Sequence, residues 1–163
     1  MSFVFEDSLC GRQLGEVESD TTKFAYVVGA WLDCIVLVVL LRFFYTLRWR
    51  HAVQTAGFVV SIGVGLALKE ALAVVRPPTS CLGSFALPSG DTQQLTAALY
   101  ILYAGQSKFR AWKLALSVLL VSLEAFSRVN LGHHTVGQTL AGIALGLVMS
   151  SLWARLVQPV TQN

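Results

Sequence analysis

Apolar residues in this chain come in runs about as long as a bilayer is thick, and the runs end in charge, Pro or Gly. Hydrocarbon offers no water to backbone amides, so a run of about 20 apolar residues crosses it only as a helix. Five runs are readable: roughly residues 24–47, 52–75, from a helix start near Ser89 to 105, 111–126 and 135–157. The chain is 55% hydrophobic and 13% charged, where a soluble domain carries about 25% charged residues. Mean hydropathy is +0.63. The expected class is all-α: a polytopic membrane helical bundle of about five transmembrane helices. A polar acidic tail, residues 1–23, precedes a single transmembrane domain, 24–158. The tail holds Glu6, Asp7, Glu16, Glu18 and Asp20 and is not a signal peptide, so the first span is expected to enter with its N-terminus outward.

Three cysteines make no disulfide framework. Cys34, inside an apolar run, reads as a small buried hydrophobe. Pairing of Cys10 with Cys81 needs a shared oxidising side, and no spacing supports it. Asp33, also inside the first run, is expected to face the bundle, since a bare carboxylate in lipid is expensive. Gly57, Gly63, Gly65 and the pair Gly142-x-x-x-Gly146 allow close helix approach. Trp49, Trp112 and Trp153 read as interface anchors.

Helices that alternate in direction bring the end of span two, the start of span three, the end of span four and the start of span five to one membrane face. That face collects Lys69, Arg76, Asp91, Arg128 and His134. The other face carries Arg42, Arg48, Arg50, Lys108, Arg110, Lys113 and Arg155. The excess of loop cations on that side is expected to be cytosolic, which puts the polar cluster on the lumenal, periplasmic or extracellular side.

The cluster suggests a chemistry. Lys69 and Arg76 are seven apart, two turns along a helix, so they point to a similar face. Arg128 joins them from another helix end. Three cations make an anion site, and Arg suits tetrahedral oxyanions. Ser89 and Gly90 stand at a helix N-terminus, where backbone N–H groups favour phosphate. His134 is the nucleophile or base in reach. With cations to neutralise a phosphate, no metal or other cofactor is expected. The natural ligand is a phosphate monoester or diphosphate on a lipid tail, so the partners are phosphorylated lipid and the membrane. Nucleic acid is not among them.

These residues resemble the type 2 phosphatidic acid phosphatase (PAP2) superfamily of membrane phosphatases. Its first motif, Lys-x6-Arg-Pro, is met by Lys69 through Arg76-Pro77. The second, Pro-Ser-Gly-His, is met by Pro88-Ser89-Gly90 but ends in Asp91. The third, Ser-Arg-x5-His-x3-Asp, is met by Ser127-Arg128 and His134 but ends in Gln138. The resemblance implies that Lys69, Arg76, Ser89, Gly90 and Arg128 hold the phosphate. It implies that His134 attacks phosphorus and forms a phosphohistidine. It also implies a six-helix core, from which one peripheral helix is missing here.

Both departures fall on catalytic positions. Asp91 is either a general acid, if its surroundings keep it protonated, or a helix cap. Gln138 can accept a hydrogen bond from His134 but cannot supply the charge of an Asp. His133 is a rival for His134, but motif count favours His134, and His133 reads as a surface or loop residue. Glu124, four before Arg128, reads as its ion-pair partner, and Glu124 or Asp33 is a remote substitute for the missing carboxylate. Two function classes follow. One is a lipid phosphate or lipid diphosphate phosphatase. The other is a catalytically weakened relative that binds phosphorylated lipid or serves, as a homo-oligomer or a subunit, in a membrane assembly. A channel or transporter is disfavoured, because no repeat is visible and the polar groups gather at one face.

Overall fold

The structure, a computed structural model, describes residues 20–46, 49–77, 80, 85–104 and 111–161. Cys10, Cys81, Arg48, Lys108 and Arg110 lie outside the described residues, as do the side chains of Asp33, Arg42, Trp49 and Arg50. The described residues form five helices: α1 Asp20–Thr46, α2 Trp49–Leu72, α3 Gly90–Ala104, α4 Ala111–Asn130 and α5 Val136–Thr161. No strand occurs among them. This is the expected all-α bundle, with five helices among the described residues. Its first helix begins at Asp20, four residues before the expected boundary, with the acidic side chain in the first turn where the helix dipole favours it.

The bundle buries many polar side chains beside a small apolar core and is apolar outside. Its buried side chains include Ser61, Thr92, Gln93, Thr96, Glu124, Arg128, His134 and Thr139. Its outer faces expose Trp31, Leu37 and Leu41 on α1, Val59 and Leu66 on α2, Val118 and Leu119 on α4, and Leu147 and Leu152 on α5. Such a surface suits hydrocarbon and is costly in water. Two segments, Ala52–Leu72 and Val136–Leu156, pass a length and hydropathy test for spanning a bilayer, each with mean hydropathy 1.5. Cys34 follows the same inversion. It is exposed on the outer face, not buried as expected, because lipid-facing positions reward apolar character as a core does.

The short α3 is the hub and packs against all four other helices. Eight of its positions are buried, Thr92, Gln93, Leu95, Thr96, Ala97, Ala98, Leu99 and Ile101, so the helix is enclosed on all sides. Its polar groups find partners within the bundle. Gln93 Nε2 donates to the Ser61 carbonyl at 2.6 Å, and Thr96 Oγ1 donates to the Thr92 carbonyl at 2.6 Å.

Small residues let the neighbours close in. A Cβ at Gly142 would overlap the Ser89 carbonyl oxygen and Thr92 Oγ1, and one at Gly146 would lie 2.7 Å from the Gln93 carbonyl oxygen. The Gly142-x-x-x-Gly146 face thus seats α5 on α3. On α2, Gly57 admits the Trp153 ring and Gly65 the Gln93 side chain, but Gly63 faces open space. Trp153 is therefore not simply an interface anchor. Its Nε1 donates to the Val53 carbonyl at 3.0 Å and latches α5 to α2.

Candidate active site

Four helix termini deliver the site, the ends of α2 and α4 and the starts of α3 and α5, and each is set for a local reason. At the end of α2, Lys69 sits in the last turn. Ala73 then takes a left-handed conformation, φ 46°, and its N–H returns to the Lys69 carbonyl at 3.0 Å. This closes the helix in the manner of a glycine cap. The expected continuation to residue 75 is thus wrong, and Arg76 is not on a helix face with Lys69. Arg76 follows in an irregular segment pinned by the Ala86 N–H, which donates to the Val74 carbonyl at 2.8 Å. The two cations still meet the same site, but from a helix and from a loop.

At the end of α4, Gly132 has φ 70°. Its N–H donates to the Val129 carbonyl at 3.0 Å, and the His133 N–H donates to the Arg128 carbonyl at 3.1 Å. That paired pattern is a Schellman cap, which needs a residue without Cβ at its left-handed position. The cap folds the chain back so that the His134 N–H also reaches the Arg128 carbonyl, at 3.2 Å. The cap therefore sets where the imidazole stands.

Helix α5 then starts with a capping box. Gln138 Oε1 accepts from the Thr135 N–H at 2.8 Å, and the Gln138 N–H donates to Thr135 Oγ1 at 3.3 Å. The expected bond from His134 to the Gln138 carbonyl oxygen is absent among the described residues, because that oxygen is engaged at the helix start. The Gln138 backbone carbonyl instead accepts from the Ser89 N–H at 3.1 Å. Thr92 Oγ1, 3.3 Å from the Thr139 carbonyl, adds a second stitch between the starts of α3 and α5.

These elements bring together all three sequence clusters. Arg76 Nη1 donates to the His133 carbonyl at 3.1 Å and lies 3.2 Å from His134 Nε2. A guanidinium has only donors, so Nε2 is the acceptor and the neutral ring carries its proton on Nδ1. Burial first, and the Arg76 charge next, push the His134 pKa down to about 3. His133, expected as a surface or loop residue, is not on the surface: it is buried as well, because its carbonyl turns inward to hold Arg76.

Asp91 Oδ2 lies 3.3 Å from Arg128 Nε. The carboxylate, in the first turn of α3, forms an ion pair with the guanidinium. Glu124 Oε1, as expected, takes the same Nε at 2.5 Å. It serves Arg128 and not His134. Ser89 stands at the start of α3, where its carbonyl accepts from the Gln93 N–H at 3.1 Å. Gly90 leaves room for the Lys69 ammonium, since a Cβ there would lie 3.2 Å from Nζ. Ser127 Oγ donates to the Ala25 carbonyl at 2.7 Å and ties α4 to α1. The part of α1 in the site, at Ala25 and Gly29, was not readable in a uniformly apolar run.

Ser89 Oγ and His134 Nδ1 are among the buried polar atoms that have no hydrogen-bond partner among the described residues. Leaving such an atom without a partner costs about 1–3 kcal/mol.

The sequence matches the model of the PAP2 superfamily over residues 56–162. The chain belongs to the PAP2 superfamily. The PAP2 match includes all three motif regions and both departures, Asp91 and Gln138. Among solved structures, the chain is similar to the first transmembrane PAP2-type phosphatidylglycerolphosphate phosphatase from Bacillus subtilis, with a TM-score of 0.63 and 21% identity. The match covers 99% of this chain and 98% of that one, and at this identity it speaks to the PAP2 fold alone. Among curated proteins, none matches the sequence.

Proposed function

We propose that this chain is a membrane phosphatase that hydrolyses a lipid phosphate or lipid diphosphate through a phosphohistidine on His134. The observation that carries the reading is the juxtaposition of a neutral imidazole with three cations at one end of the bundle. His134 Nε2 faces Arg76 at 3.2 Å. A phosphate binding at Arg76, Lys69 and Arg128 would release that lone pair for attack. Ser89 Oγ and the Gly90 backbone would donate to the phosphate oxygens. A P–N bond forms as the P–O bond to the lipid breaks, and water then cleaves the P–N bond. Phosphate that takes Arg128 from Asp91 frees that carboxylate to take up a proton from solvent and pass it to the leaving oxygen; the attacking water later returns a proton to it.

The lipid class follows from the position of the site at the membrane-facing end of an apolar bundle. The neighbouring structure is that of a phosphatidylglycerolphosphate phosphatase, so that lipid belongs in the substrate panel. The cations at the opposite loops support a non-cytosolic site.

One observation favours the second reading, a weakened relative that binds phosphorylated lipid. Gln138 Oε1 is committed to Thr135, so His134 Nδ1 lacks the acceptor that would steady a developing positive charge. The experiment that separates the readings is phosphate release by purified protein in detergent, with chelator present. Phosphatidic acid, phosphatidylglycerol phosphate and an isoprenoid diphosphate would be compared, with His134→Ala alongside. Release that vanishes in the variant supports the phosphatase. Release no greater than the variant's, from folded protein, supports the binding protein.

A further inference from the structure

Glu124 lies outside all three motifs, yet it is among the most buried side chains in the bundle, 1% exposed. It sits one turn before Arg128 on α4 and holds Arg128 Nε at 2.5 Å. An exposed pair at this spacing adds only about 0.3–0.5 kcal/mol to a helix. A buried pair loses more solvation than that, and apolar residues of similar volume would often be no less stable. Helix stability therefore does not explain why two charges are placed here, in a helix whose other face meets lipid.

The two carboxylates on Arg128 are unequal. Glu124 belongs to the same helix, is fully enclosed and makes the shorter contact. Asp91 comes from α3, is 17% exposed and stands 3.3 Å away. The far end of the guanidinium meets α1, where a Cβ at Gly29 would lie 3.8 Å from Nη2. Both carboxylates thus meet the guanidinium at Nε, the enclosed Glu124 closely and the partly exposed Asp91 at longer range, while Nη2 lies toward α1. A charge-assisted bond at Nε fixes the plane of the fork.

We infer that Glu124 is a positioning residue that holds Arg128 at the phosphate seat, while Asp91 is the exchangeable anion whose place a phosphate oxygen takes. This rests on the phosphate-binding reading above. It assigns the unequal roles to two carboxylates that neither motif spacing nor helix stability distinguishes.

The test uses the full chain in detergent and tungstate, a phosphate-like dianion, as the probe. Glu124→Gln keeps the shape and an acceptor oxygen but removes the charge. The expected result is a KM for lipid phosphate and a tungstate inhibition constant that rise together by about tenfold, the scale of one weakened charge-assisted bond. The change in kcat is expected to be smaller. Glu124→Asp, which retains charge at shorter reach, is expected to recover part of the affinity. Glu124→Gln added to Arg128→Lys is expected to have little further effect, since the fork is already gone. A purely structural role would lower thermal stability and leave KM and tungstate affinity in place, and that result overturns the inference. Should the amide variant not fold, Glu124→Asp carries the comparison, because a carboxylate one methylene short moves the guanidinium; unchanged KM and tungstate affinity there overturn it too.

The outcomes also separate the two proposals. Active wild type with unchanged affinities in Glu124→Gln sinks the role of Glu124 alone. Inactive wild type that tungstate protects against heat, with protection lost in Glu124→Gln, sinks the phosphatase reading and keeps Glu124. Wild type that neither releases phosphate nor gains stability from tungstate sinks both.

Discussion

Arg76 Nη1 and His134 Nε2 lie 3.2 Å apart although 58 residues separate them in the chain. The pair joins the first motif to the third. Burial first, and the Arg76 charge next, keep the His134 ring neutral.

The first prediction concerns pH. His134 has a pKa pushed down to about 3 in the folded protein, against about 6.5 in an unfolded chain. Between those values the unfolded chain binds a proton that the folded one refuses. Stability contributed at His134 is therefore full above pH 6.5 and declines as pH falls toward 3, by at most about 1.4 kcal/mol per pH unit. Replacing His134 with Asn is expected to flatten that slope in thermal unfolding. In wild type, kcat/KM is expected to show no acid limb near pH 6.5, because that ratio reports the free enzyme. A limb there that disappears in no other variant would refute the neutral assignment.

Gln138 separates capping from orientation. Gln138→Ala removes one half of the capping box and is expected to cost about 1 kcal/mol of stability. Gln138→Asp keeps an acceptor at the helix start and restores the family residue, which can turn toward His134 Nδ1. Turnover is expected to rise at least ~10-fold, a modest share of the ~10⁴ that the orienting Asp supplies in a serine protease. Phosphate release at saturating lipid is the measurement, and unchanged turnover would remove Gln138 from the catalytic group.

Two left-handed residues make a matched pair. Gly132→Ala puts a Cβ at φ 70° and is expected to destabilise by about 1–2 kcal/mol. It also shifts the cap that sets His134, so phosphate release falls with it. Ala73→Gly relieves the same strain at φ 46° and is expected to raise stability by up to ~1 kcal/mol. Thermal melts in detergent read both.

Gly142 joins packing to chemistry. A side chain there meets the Ser89 carbonyl and Thr92 Oγ1, which are backbone and a buried, bonded hydroxyl, so neither can yield easily. Gly142→Val is expected to cost about 1–3 kcal/mol by overpacking. It also moves Ser89, so lipid phosphate affinity falls with stability. The same substitution at Gly63, which faces open space, is the control and is expected to leave both in place.

Order, helix number and convergence of Lys69, Arg76, Asp91, Arg128 and His134 were determined by the sequence itself. Long apolar runs permit only helices in lipid, and alternating helices must bring those ends to one face. The ion pair of Glu124 with Arg128 was likewise readable from their spacing. Tertiary structure decided the rest. Periodicity does not show which side of a lipid helix meets a neighbour, because hydrocarbon and helix contacts accept the same residues; hence Gly63 and Cys34 were misplaced. The apolar Val74 and Val75 looked like more helix, but a left-handed Ala73 and the tie from Ala86 end it first. The Thr135-x-x-Gln138 signature was present in the sequence. Only the fold showed that Gln138 spends its oxygen on the helix start, leaving His134 without it, because two acceptable partners lay within reach and one backbone geometry chose between them.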